Sequence, residues 1–161
     1  MKALSGYAEW FWLLAKNIKP VENRIWPLDH FYKEKDLPVR VYLHASKTKT
    51  TKKGLEFIRE RLSPDQLREF EAVNWKQYRG TIIGEITIVG QVYDALCGII
   101  GGSEERQQAV KSGWYTGPYG FVCRDGILYD KPIPYKGRLG FFNVKQEVID
   151  SADIESSEKA M

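Results

Sequence analysis

The chain has 161 residues, of which 43% are hydrophobic and 28% charged, ordinary globular usage for one domain that buries its own core. The first apolar stretch, Trp10 to Ala15, is far too short for a membrane span, and Lys2 alone before it makes a poor signal peptide, so a cytoplasmic protein without membrane contacts is expected. Cys97 and Cys123 lack Cys-x-x-Cys or paired-histidine spacing, which argues against a zinc site or a disulfide and leaves them as small buried hydrophobes.

From Gly6 to Asn17 the residues Tyr7, Trp10, Phe11, Leu13 and Leu14 recur at helical spacing, predicting a short helix with Asn17 at its C-terminal cap. Arg40 to Ala45 alternates as a strand that carries His44 toward one face. Between Lys52 and Tyr78 the apolar positions Leu55, Ile58, Leu62, Leu67 and Phe70 are again helical, and Ser63-Pro64-Asp65 starts a second helix. Gly80 to Val92 is apolar and β-branched, with Gly84 and Gly90 marking a bulge or barrel bend.

Tyr93 to Lys111 contains Gly98, Gly101 and Gly102, which predicts an inserted helical or loop excursion. Short strands then follow over Tyr119 to Cys123, around Ile127 to Tyr129, and over Gly140 to Lys145, separated by turn signals such as Arg124-Asp125-Gly126. A domain over 1–145 and an acidic tail over 146–161 are expected, the tail as a frayed helix or disorder. That tail holds Glu147, Asp150, Asp153, Glu155 and Glu158 against Lys159, so the net charge of +3 conceals a body charge of +7. A basic body suits nucleic acid.

Lys19, Glu22, Asn23, Arg24 and Trp26 fall within one short run that begins at Lys19 and turns through Pro20. A cation, a carboxylate, an amide, a guanidinium and an indole on a rigid turn can neutralise phosphate, hydrogen-bond a base edge and stack on it. The same residues suit a plain ion pair beside a core tryptophan. Lys47, Lys49, Lys52 and Lys53, with Ser46 before them, read either as phosphate contacts or as a solvated helix start, and Arg138 joins the phosphate candidates. Trp114, Tyr115 and Tyr119 surround a Gly-Pro loop and read as base-stacking platforms or as core. His44 and Ser46 lack the Gly-x-Ser-x-Gly elbow of a nucleophile, and His30 has no ligand-spaced partner, so neither a metal nor a cofactor is expected.

Four segments in order carry a family resemblance: Met1-Lys2-Ala3-Leu4-Ser5, Lys19-x-x-Glu22-x-Arg24, His44-Ala45-Ser46, and Gly117-Pro118-Tyr119-Gly120-Phe121 followed by Gly137-Arg138-Leu139-Gly140. With these the chain resembles the ASCH family of the PUA-like superfamily. Asn17 stands where the family signature begins with glycine, a mild departure because asparagine tolerates positive φ. The resemblance implies an α+β fold: a PUA-like small twisted β-barrel with helices packed around it, and a cleft holding Lys19, Glu22 and Arg24. It further implies a nucleic-acid-binding module whose partner is RNA or DNA, including a modified nucleobase. Some members are hydrolases, among them ribonucleases and enzymes that deacylate acetylated cytidine. The alternative implied here is therefore a hydrolase with Lys19 and Glu22 in proton transfer. The deacylating members carry a threonine at the position of Glu22, and this chain does not. A protein-interaction domain, docking through the tail or the insertion, is the third reading.

Overall fold

Asn17 closes the first helix in the left-handed region, at φ 60°. The computed structural model describes residues 1–93 and 104–152. It contains strand β1 (Lys2–Gly6), helix α1 (Ala8–Ala15), β2 (Val21–Arg24), β3 (Val39–Ala45), α2 (Lys52–Arg61), α3 (Pro64–Glu71), β4 (Thr81–Tyr93), α4 (Glu104–Lys111), β5 (Tyr119–Pro134) and β6 (Phe141–Asn143). At the end of α1, Asn17 N–H donates to the Leu14 carbonyl and Ile18 N–H to the Leu13 carbonyl, the paired bonds of a Schellman closure. The two helices expected between Lys52 and Tyr78 are α2 and α3. Thr51 caps the first, and Ser63 caps the second reciprocally with Gln66, with Pro64 in its first turn.

The strands form one mixed sheet in the order β2-β5-β4-β3-β1-β6. β1 runs parallel to β3, and the other pairings are antiparallel. The sheet curls strongly. Phe121 of β5 stacks on Phe141 of β6 at 6.2 Å although their strands lie near opposite ends of the sheet order. Trp26, just past β2, reaches both rings, at 5.4 Å and 5.8 Å. Inside the curl α1 buries Phe11, Trp12, Leu13 and Leu14 against Val41, Leu43, Ile83 and Ile86. This is the α+β, barrel-like sheet with packed helices that the resemblance implies.

Met1 to Ser5, for which no element is predicted, falls largely in strand β1, whose residues show no alternation to announce it. Two local expectations are corrected. The turn after Pro20 is an edge strand, β2, paired along its length with β5. Arg124-Asp125-Gly126 is not a hairpin turn but an irregularity within the single long strand β5, with Asp125 at φ 54°. Two neighbours hold it there: Asn17 exchanges both side-chain amide bonds with Gly126, and a Cβ on Gly126 would meet the Leu14 carbonyl at 2.3 Å.

Beyond Lys145 the chain is helical over 146–152. Ile149 from this segment is 5% exposed and joins a second small core of Ala3, Tyr42, Ile82, Ile133 and Phe142 on the outer face of the sheet. The remainder of the acidic tail, the glycines of the expected insertion, and Cys97 lie outside the described residues.

Candidate functional site

The Schellman closure of α1 turns the chain so that Lys19, two residues past Asn17, points back under the helix. Its side chain is only 2% exposed, its Nζ lying 4.7 Å from the centre of the Trp10 ring. β2 follows, and because strand side chains alternate, Glu22 and Arg24 share a face. Lys19 Nζ donates to Glu22 Oε1 at 3.0 Å, while Arg24 donates to Glu22 Oε2 from Nη2 at 2.8 Å and from Nε at 3.2 Å. Arg24 Nη2 also reaches the Ser5 carbonyl at 2.7 Å, which ties β2 to β1 across the open seam of the curled sheet.

Burial by itself raises the Glu22 carboxyl toward neutrality. The charges and hydrogen bonds of Lys19 and Arg24 outweigh it, so its pKa falls below the ordinary glutamate range. Glu22 is therefore a fixed anion between two cations, and the triad of Lys19, Glu22 and Arg24 as a whole brings a net positive charge to the cleft.

Behind it sits Cys123, whose thiol is pushed up to about 12, chiefly by burial and then by the Glu22 charge. That sulfur is a core group rather than a nucleophile.

The triad forms part of the wall of a cleft of about 800 Å³. Its aromatic members are Tyr7, Trp10, Trp26 and Phe57, and its hydroxyls and cation include Ser46, Thr48, Thr51 and Lys53. The loop after β3 is held in place from beneath: Thr50 donates to Glu9 Oε2 at 2.6 Å, and Arg79 donates to Glu9 Oε1 at 2.7 Å.

Of the residues singled out from sequence, Lys19, Glu22, Asn23, Arg24, Trp26, Ser46 and Lys53 line this cleft together. Asn23 spends its amide on the neighbouring loop, donating to the Trp114 carbonyl at 2.9 Å and accepting from Thr116 N–H at 3.0 Å, so it braces the wall. Trp114 is corrected from stacking platform to core: it is 4% exposed and packs edge-on against Phe57. Tyr115 donates to the Pro118 carbonyl and its ring packs close over Gly120, while Tyr119 packs against Tyr93. Lys47, Lys49, Lys52 and Arg138 are exposed and do not line the cleft.

His44 is buried away from Ser46. Its Nε2 is 2.6 Å from the Tyr135 carbonyl and its Nδ1 3.4 Å from the Ser5 hydroxyl, and burial lowers its pKa despite the Tyr135 contact. His30 is exposed, and among the described residues no group of three His, Cys, Asp or Glu side chains is placed to hold a metal. None of the described helices is long and apolar enough to cross a membrane.

Tyr7, Trp10, Ile25, Thr48, Thr51 and Leu139 also line the cleft, and none of them is among the candidate site residues read from the sequence. The helical spacing of Tyr7 and Trp10 with Phe11 gave no sign that the first two face outward. Ile25 and Leu139 are 84% and 98% exposed, and the one available signal was their placement inside the recognised motifs.

No known family profile matches the sequence, and no curated protein matches it. Six solved chains match the structure. One is a crystal structure of a mutant of ZmASCH from Zymomonas mobilis, aligned over 94% of each chain with 15% identity and a TM-score of 0.46. The chain is similar to that ASCH protein.

Proposed function

We propose that this protein is a nucleic-acid-binding module that recognises a nucleotide, including one with a modified base, in the cleft around Lys19, Glu22 and Arg24. The observation that carries this reading is a buried cation–carboxylate–cation triad with half-buried indoles on two sides, Trp10 beneath Lys19 and Trp26 5.6 Å from the Arg24 guanidinium. Indoles take the faces of a base, and the net positive triad with Lys53 takes its phosphate. Ser46 and Thr51 add hydroxyls for the phosphate oxygens.

Binding is favoured over the hydrolase alternative by the state of Glu22. A carboxylate held below its ordinary pKa, with both oxygens occupied by Lys19 and Arg24, is a poor proton acceptor and is not available to position water. The function read here is recognition without turnover.

The test is a titration with nucleoside 5′-monophosphates and short RNA and DNA strands at two salt concentrations. Lys53→Glu reverses an exposed charge inside the cleft without touching the core, and it should weaken binding and flatten its salt dependence. Equal affinity in that variant, or salt-independent binding, would refute the reading.

A further inference from the structure

A lone exposed apolar residue needs no explanation, but here several are gathered at one place. Leu139 is 98% exposed, Ile25 84% and Tyr7 40%, and all three line the cleft whose inner wall is charged. Phe31, 42% exposed, packs against Trp26 at the same site.

The loop that carries Leu139 is fixed on both sides. The Tyr135 carbonyl is engaged by His44, and a Cβ on Gly137 would collide with the His44 ring at 2.2 Å, so the loop lies flat on the histidine. After Leu139 the Gly140 carbonyl accepts from Ser5 N–H at 3.0 Å, and Gly140 takes a positive φ of 69° beside Trp26 and Phe31. Ile25 is held likewise between Arg24, anchored on Glu22 and Ser5, and Trp26, anchored in the aromatic cluster. These are apolar side chains presented to water on rigid backbone, which lowers the ordering cost of covering them.

A free nucleotide offers one base. The cleft, at about 800 Å³, is larger than one base fills, so a base stacked on the indoles leaves part of the lining, Leu139 and Ile25 included, for other groups. A polynucleotide strand offers more: once one base leaves the stack, its neighbours lose stacking partners, and apolar side chains at the mouth take their place. Lys136 and Arg138 shortly precede Leu139 and are both exposed, supplying cations near the apolar rim for the phosphates of the strand.

Resting on the nucleotide reading above, we infer that the ligand is an internal nucleotide of a single-stranded polynucleotide. Its base enters the cleft while the adjoining bases rest on Ile25 and Leu139. The rim thus discriminates a strand from a free nucleoside or mononucleotide.

The experiment titrates wild type and the Ile25→Ser/Leu139→Ser double variant with short end-labelled RNA and DNA strands and with the matching 5′-monophosphates. Both substitutions lie on the surface, and an unchanged melting temperature confirms the fold. Wild type should bind a strand about tenfold or more tighter than any monophosphate, and the variant should lose about tenfold on the strand but much less on the monophosphate. The polymer that binds more tightly identifies the strand as RNA or DNA. Strand affinity that survives in the variant, or equal affinity of wild type for strand and monophosphate, overturns this inference alone. Failure of every strand and monophosphate to bind overturns the nucleotide reading and this inference with it.

Discussion

Lys19 Nζ and Glu22 Oε1 are 3.0 Å apart, with the lysine side chain 2% exposed and the glutamate 7%. A pair this deep carries a large desolvation cost, and its charges are stable only together with Arg24. Removing the carboxylate leaves two cations facing one another without an anion. Glu22→Gln should therefore lower folding stability by about 3–5 kcal/mol, measured by chemical denaturation. A loss below 1 kcal/mol would mean that the triad is not the closed unit described here.

The pH dependence of stability should fall in two steps on the acid side. His44 has a lowered pKa in the fold, so the unfolded chain binds its proton first. Stability then declines as pH falls below about 6.5. Glu22 also has a lowered pKa, and its contribution, complete above about pH 4.3, is lost as pH falls further. His44→Gln should remove the upper step and leave the lower one, read from denaturation midpoints across pH.

Cys123 should be inert in the folded protein. With its thiol pushed up to about 12 and its side chain buried, alkylation at pH 8 in a Cys97→Ser background should wait on unfolding. Rapid labelling under native conditions would show that the wall behind Glu22 opens.

The two tryptophans near the cleft should separate by phenotype. Trp114→Ala removes a ring that is 4% exposed and should cost about 3–5 kcal/mol of stability. Trp26→Leu keeps an apolar contact for Phe121 and Phe141 but removes the stacking face, so nucleotide affinity should fall about tenfold or more with a smaller stability loss.

Much of this architecture was legible because local chemistry and tertiary position agree. Asn17 reads as a cap and is one, and Ser63-Pro64-Asp65 starts α3 because capping box and proline act within one turn. β1 and β2 were not legible as strands, since each is short and gains its definition from partners far along the chain, β3 and β6 for one and β5 for the other. Arg124-Asp125-Gly126 has turn chemistry that Asn17 and Leu14 divert into a bulge, a contact across 109 positions that no local signal contains. At the site, the charged triad was visible as spacing, while its burial was not. The apolar rim was invisible, because exposure of Ile25 and Leu139 is a property of how the loops are pinned.

We propose that this cleft binds a nucleotide without converting it. The most direct test is a thermal-shift series of the wild-type protein against nucleosides, modified nucleosides, 5′-monophosphates and short RNA and DNA strands, with each mixture analysed by chromatography for product. Stabilisation by at least one nucleotide ligand, with no product formed, is the expected result. Product formed by wild type and abolished in Glu22→Gln, or no stabilisation by any of these ligands, would contradict it.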